Sequence, residues 1–115
     1  MKHFKEREFK CPCCGQIKLA EEFKEKIDMA RDIAGIPFII TSGYRCPKHN
    51  KEVGGKSDSA HLKGFAADVK ATDSYTRYKI VTAALTAGFT RIGVAKNFIH
   101  LDCDPEKPQE VMWVY

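Results

Sequence analysis

The stretch Ser59-Ala60-His61-Leu62-Lys63-Gly64-Phe65-Ala66-Ala67-Asp68 decides how the rest of the chain is read. His61 and Asp68 are both good ligands for a borderline-soft dication. Gly64 allows a sharp turn between them, and Ala66 and Ala67 leave room beside them. From Phe65 to Lys70 the chain reads as a strand, so Ala66 and Asp68 point to one face. In the later run Phe98-Ile99-His100-Leu101-Asp102, apolar Ile99 and Leu101 alternate with His100 and Asp102, as in a half-buried strand. Two neighbouring strands would bring His61, Asp68 and His100 to one point. Two histidines and one carboxylate leave a tetrahedral zinc ion one open position, which suits catalysis better than structure.

Working outward, Leu19 to Ala34 is the clearest helix, with Leu19, Phe23, Ile27, Ala30 and Ile33 or Ala34 on one face. Gly35 and Pro37 stand where a helix stops. Phe38-Ile39-Ile40-Thr41 reads as a short buried strand that delivers Ser42-Gly43-Tyr44-Arg45 on a loop. Lys48 to Val53 can form one helical turn. A second helix is expected over Tyr75–Ala87, with Tyr78, Val81, Leu85 and Ala84 facing the core, Asp73 or Ser74 as N-cap and Gly88 as the stop. Short strands follow around Arg91–Val94, Phe98–Asp102 and Val111–Tyr115, the first two resembling a hairpin. Residues 1–18 read as irregular, anchored by Phe4, Phe9 and Ile17. The order of elements predicts an α+β fold: a small single domain over residues 1–115, with a mostly antiparallel sheet and flanking helices.

At 115 residues the chain can bury one modest core, and 43% hydrophobic with 30% charged residues is the composition of a soluble globular protein. The net charge of +4 is mild and specifies no partner. No segment is long and apolar enough to cross a membrane. The charged N-terminus, Met1 to Glu8, has no signal-peptide core, so synthesis in the cytoplasm is expected, with any other compartment reached by a route the sequence does not encode. Five cysteines, an odd number, argue against a disulfide framework. Cys11-Pro12-Cys13-Cys14-Gly15 is half of a zinc knuckle whose second half is absent from the sequence, and Cys46 and Cys103 stand alone. Structural thiols or one disulfide are expected ahead of a second metal site. His3 and His49 have no ligand partner at useful spacing.

Ser59-x-His61-x-x-Gly64-x-Ala66-x-Asp68 resembles, at every fixed position, the signature of the zinc peptidases that include D-alanyl-D-alanine carboxypeptidases and the vancomycin-resistance dipeptidases (peptidase M15). Ser42-Gly43-Tyr44-Arg45, Asn50, Gly54-Gly55, the strand around His100 and Trp113 are similar to the small single-domain branch of that group, common in bacteriophages and prophages. The resemblance covers roughly residues 9 to 113. It implies the α+β fold shared with the hedgehog signalling domain, one zinc ion on His61, Asp68 and His100, and Arg45 and Ser59 in a substrate cleft. It also implies a peptidoglycan peptide as substrate, with no nucleic acid or membrane as partner. A monomer is expected, acting on the cell wall as a phage lysis enzyme or virion component.

One position departs from the pattern. Several relatives place an acidic general base three residues before the last histidine, where this chain has Asn97; others place a histidine two before it, where it has Phe98. Asp102, on the same strand face as His100, is the candidate base; supporting His100 or Arg45 is its other reading. Asp58 is a further candidate. Two alternatives stay open: a zinc-binding or structural phage protein of the same fold without activity, and a nucleic-acid-binding zinc module built on Cys11, Cys13, Cys14 and Cys46.

Overall fold

The helices form where caps and periodicity coincide. A computed structural model describes residues 1–115. Helix α1 spans Glu21–Ala34 and buries Phe23, Ile27, Ala30 and Ala34, a run at i, i+4, i+7 and i+11. It ends on Gly35 in the left-handed conformation. The short α2, Pro47–Glu52, begins with proline at its first position. Helix α3, Ser74–Ala87, is capped by Asp73, whose carboxylate accepts from the Thr76 N–H, and stops at Gly88.

Five strands make one mixed sheet: β1 Ile40–Ser42, β2 Ala66–Lys70, β3 Arg91–Val94, β4 Phe98–Asp102 and β5 Val111–Val114, in the order β1-β2-β4-β3-β5. The pairs β1–β2, β2–β4 and β3–β4 are antiparallel, as expected, whereas the closing strand β5 runs parallel to β3. Helices α1 and α3 pack on each other and cover one face of the sheet, where Ala67, Val69, Ile92, Ile99 and Leu101 join the core. Phe4, Phe9, Phe23 and Phe89 continue that core as a chain of edge-on rings 5.3–6.0 Å apart. The alternate residues of the strands line the opposite face, and the site is built there.

Several expectations are corrected. The buried face of α3 is Ile80, Ala83, Ala84 and Ala87, whereas Tyr78 and Leu85 are 68% and 53% exposed. Helix α1, which packs on α3, also buries Ala30 and Ala34, so small residues are favoured where the helices approach closely. Ile17 is exposed, leaving Phe4 and Phe9 to anchor the N-terminal segment, which includes a 3₁₀ turn at Glu6–Phe9. The strand expected over Phe38–Thr41 begins two residues later. As β1 it is a sheet edge, and Ile39 is 57% exposed. Finally, Cys46 does not stand alone, because the fold brings it beside Cys11 and Cys14.

Phe23 is fully buried, so Phe23→Ala is expected to lower the unfolding free energy by about 3–5 kcal/mol. Leu85→Ala is expected to change it by less than about 0.5 kcal/mol, since the side chain faces solvent. Urea titration of the two variants measures both.

Candidate metal centre

Three segments meet on the open face of the sheet. His61 sits on a 3₁₀ turn, Ala60–Lys63, whose start is capped by Ser59: its Oγ accepts the His61 N–H at 3.3 Å. The turn ends at Gly64, with φ of 78°, where a side chain would also collide with the backbone of Lys18. Asp68 lies in β2, directly across from His100 in β4. Because strand residues alternate between faces, pairing at this register points both side chains away from the core.

The three side chains converge with particular atoms. The Nδ1–H of His61 donates to the Gly43 carbonyl at 2.7 Å, which leaves Nε2 facing Asp68 Oδ1 at 3.4 Å. His100 Nδ1 lies 2.9 Å from the same oxygen. On its other side, His100 Nε2 donates to Asp102 Oδ2 at 2.6 Å. Donors bound to one tetrahedral zinc at about 2.0–2.1 Å would lie about 3.4 Å apart, so the observed spacing is close to a ligand set. Each histidine also has its second nitrogen held by an oxygen, the arrangement that orients metal-ligating imidazoles. All three residues are buried, and the group can hold a metal ion.

The surrounding charges explain the electrostatics. Burial pushes the Asp68 carboxyl upward, but hydrogen bonds from His100 and His61 outweigh it and hold the pKa well below the usual carboxylate range. Burial pulls His100 downward, and the hydrogen bonds to Asp102 and Asp68 overcome it, so its pKa is raised. Asp102 is 1% exposed and fully engaged: Oδ2 accepts from His100, while Oδ1 accepts from Arg91 Nε at 2.8 Å and from the Asp104 N–H at 3.1 Å.

The cleft above these residues has a volume of about 580 Å³. Arg45 and Ser59 both line it. Arg45 is held by Ser42 Oγ at 3.1 Å and by Asn50 Oδ1 at 3.3 Å, with Nη2 lying 3.6 Å from Asp68 Oδ2. Asn97 sits exposed on the β3–β4 turn and is not among the lining residues, whereas Phe98 is. Asp58 does not line the cleft; it lies 3.9 Å from Lys107, with its side chain 70% exposed.

Sequence reading missed Arg91. It pairs with Asp102 across the β3–β4 ladder and stacks at 5.1 Å on Trp113, whose ring in turn lies 5.4 Å from His100. The signal was present in the alternation of Arg91, Ile92 and Gly93, but only the pairing partner reveals what Arg91 serves. Gly93 is required beside it, since an added Cβ would lie 2.5 Å from the Trp113 indole nitrogen.

With the geometry in place, comparison with known proteins is decisive at the family level. The family model described as Peptidase M15 matches residues 2–102. The chain belongs to the peptidase M15 family. This is a family of metallopeptidases, and the His61, Asp68 and His100 group on the open face of the sheet could hold a metal ion. No curated protein matched the chain. As in the sequence reading, no helix is long and apolar enough to cross a membrane.

The raised pKa of His100 makes a signed prediction for the metal-free M15 domain. The unfolded value is about 6.5. The protonated ring therefore contributes stability in full below about pH 6.5, and this is lost as pH rises through the higher folded value. Chelator-treated protein is expected to melt at a falling temperature from about pH 6 to pH 9, and His100→Gln to flatten that slope. Thermal unfolding across pH measures it.

Proposed function

We propose that this M15 protein is a zinc-dependent peptidase that hydrolyses peptide bonds of bacterial peptidoglycan, as a D-Ala-D-Ala carboxypeptidase or a stem-peptide endopeptidase. The observation that carries the reading is the convergence of His61 Nε2, Asp68 Oδ1 and His100 Nδ1 beneath an open cleft. Zinc bound there supplies a Lewis acid that polarises a carbonyl and makes water nucleophilic at neutral pH.

The chain's own residues then have separate tasks. Arg45, fixed by Ser42 and Asn50, offers a guanidinium to a substrate carboxylate or carbonyl. Lys56, Arg91 and Lys107 also line the cleft and favour an anionic peptide, such as a wall stem with free carboxylates. Ser59 positions His61 through its cap and presents its hydroxyl to the cleft. Trp113 walls one side. The protein would act as a monomer, and delivery to the wall by phage-type release or within a virion is part of the same proposal, supported by its resemblance to the small single-domain branch.

Asp102 was the sequence-based candidate for the general base. Its engagement with His100, Arg91 and the Asp104 N–H supports a positioning role: it keeps the His100 ring turned so that Nδ1 faces the ligand group. The only carboxylates lining the cleft are Asp68 and Asp102, both engaged, and this favours the second reading, a metal-binding or structural phage protein of the same fold without activity. Asp58, outside the lining residues and paired at 3.9 Å with Lys107, is the other sequence-based candidate for the active reading.

Digestion of cell walls of known chemistry, followed by product masses, separates the readings. The peptidase reading expects new amino termini that disappear with a chelator; intact walls under zinc-loaded conditions reject it. Asp102→Asn is expected to weaken zinc binding about 10–100-fold and to recover most activity at saturating zinc. A persistent loss of about 10²–10⁴-fold with zinc fully bound would instead make Asp102 the base.

A further inference from the structure

Away from the cleft, the N-terminal segment and the loop following β1 meet through sulfur. Cys11-Pro12-Cys13-Cys14-Gly15 closes as a tight turn in which the Gly15 N–H donates to the Cys11 carbonyl at 2.8 Å, with Gly15 at φ of 74°. That turn places Cys11 and Cys14 on one side. Cys46, the N-cap of α2, completes the group: the sulfurs of Cys11, Cys14 and Cys46 all lie within 4.8 Å of one another. Thiolates on a tetrahedral zinc, with Zn–S about 2.3 Å, would lie about 3.8 Å apart, so the trio needs only a small contraction.

Backbone donors are already aimed at these sulfurs. The Cys46 N–H points to Cys11 Sγ at 3.4 Å, and the His49 N–H points to Cys46 Sγ at 3.4 Å. Such donors favour a sulfur that carries negative charge. The second half-motif, Cys46-Pro47-Lys48-His49, also repeats the spacing of the first, a cysteine followed by proline and a second donor three residues on. Packing does not account for the trio, because Cys14 is exposed and Cys46 half-buried. Cys103, by contrast, is buried elsewhere, and burial pushes its thiol up to about 12, as for an inert core cysteine.

We propose that Cys11, Cys14 and Cys46 bind a second metal ion, a structural zinc separate from the His61–Asp68–His100 group. The fourth donor is Cys13, which adjoins Cys46, or His49, one helical turn beyond it. Each thiol releases its proton to solvent as it coordinates, with no change in oxidation state. The ion would fasten residues 11–14 to the loop that carries Arg45. The same two segments are already joined by the Tyr44 N–H donating to the Phe9 carbonyl at 2.8 Å. The site therefore clamps the base of the cleft and takes no part in the reaction.

The test counts metal in protein purified with reductant and loaded with zinc. The expected contents are two zinc ions per chain in the wild type, one in Cys14→Ser, and one in His61→Ala/His100→Ala. Cobalt loading is expected to give a thiolate-to-cobalt charge-transfer band in the wild type and in the histidine double variant, lost in Cys14→Ser. Either Cys13→Ser or His49→Ala is expected to weaken the thiolate site and so identify the fourth donor. A single zinc in the wild type with no charge-transfer band overturns the proposal, as does tight binding unchanged in both of those last variants. A disulfide joining two of the trio in protein isolated without reductant also overturns it. Because the two sites are scored by different variants, failure here leaves the peptidase reading to its own experiment.

Discussion

Asp68 stands directly across from His100 in the β2–β4 ladder, and the rest of the molecule depends on that register. A slip of one residue in either strand would turn that strand's member of the pair into the layer of Val69, Ile99 and Leu101. Two rows of side chains then cross the sheet. One runs Asp68, His100, Gly93, Trp113; the other runs Ala66, Asp102, Arg91, Val111. The first row holds two of the three groups that could hold a metal ion and the wall above them. The second row supports it, since Asp102 reaches His100 from one side and Arg91 from the other.

Buried charge makes this arrangement specific. Asp68 divides its oxygens, Oδ1 toward the two histidines and Oδ2 toward Arg45. Asp102 is held by a histidine, an arginine and a backbone amide. No buried side-chain polar atom lacks a partner. Arg45 beside Asp68 and Arg91 beside Asp102 supply positive charge that offsets the burial of the two carboxylates. His100, lying between Asp68 and Asp102, has its pKa raised by the hydrogen bonds to both. The same loop that carries Arg45 supplies the Gly43 carbonyl that turns His61, so cleft and ligand group share one support.

Much of this was legible in the chain. The Phe23, Ile27, Ala30 and Ala34 face of α1, the stops at Gly35 and Gly88 and the alternation of Phe98–Asp102 follow from local rules, whereas Leu19 precedes α1 and the structure chooses Asp73 over Ser74 as the α3 cap. Helix α3 was misread because Tyr78 and Leu85 carry far more apolar area than alanine, while the close packing of α3 buries the alanines instead. The edge position of β1 and the parallel β5 could not be read, since strand order is set by long-range pairing.

The sequence by itself determined the side-chain chemistry of the candidate metal group and its local presentation. The signature from Ser59 to Asp68 packs a capped turn, a glycine and a strand into ten residues, and a short segment of that kind is governed by its own backbone geometry. What only the tertiary structure decided is which distant groups complete each site. Arg91 reaches Asp102 through strand pairing, and Cys46 reaches Cys11 and Cys14 because the N-terminal segment docks against the loop after β1. Those contacts join residues far apart in the chain, and the free energy that holds them comes from the shared core. No residue spacing records it.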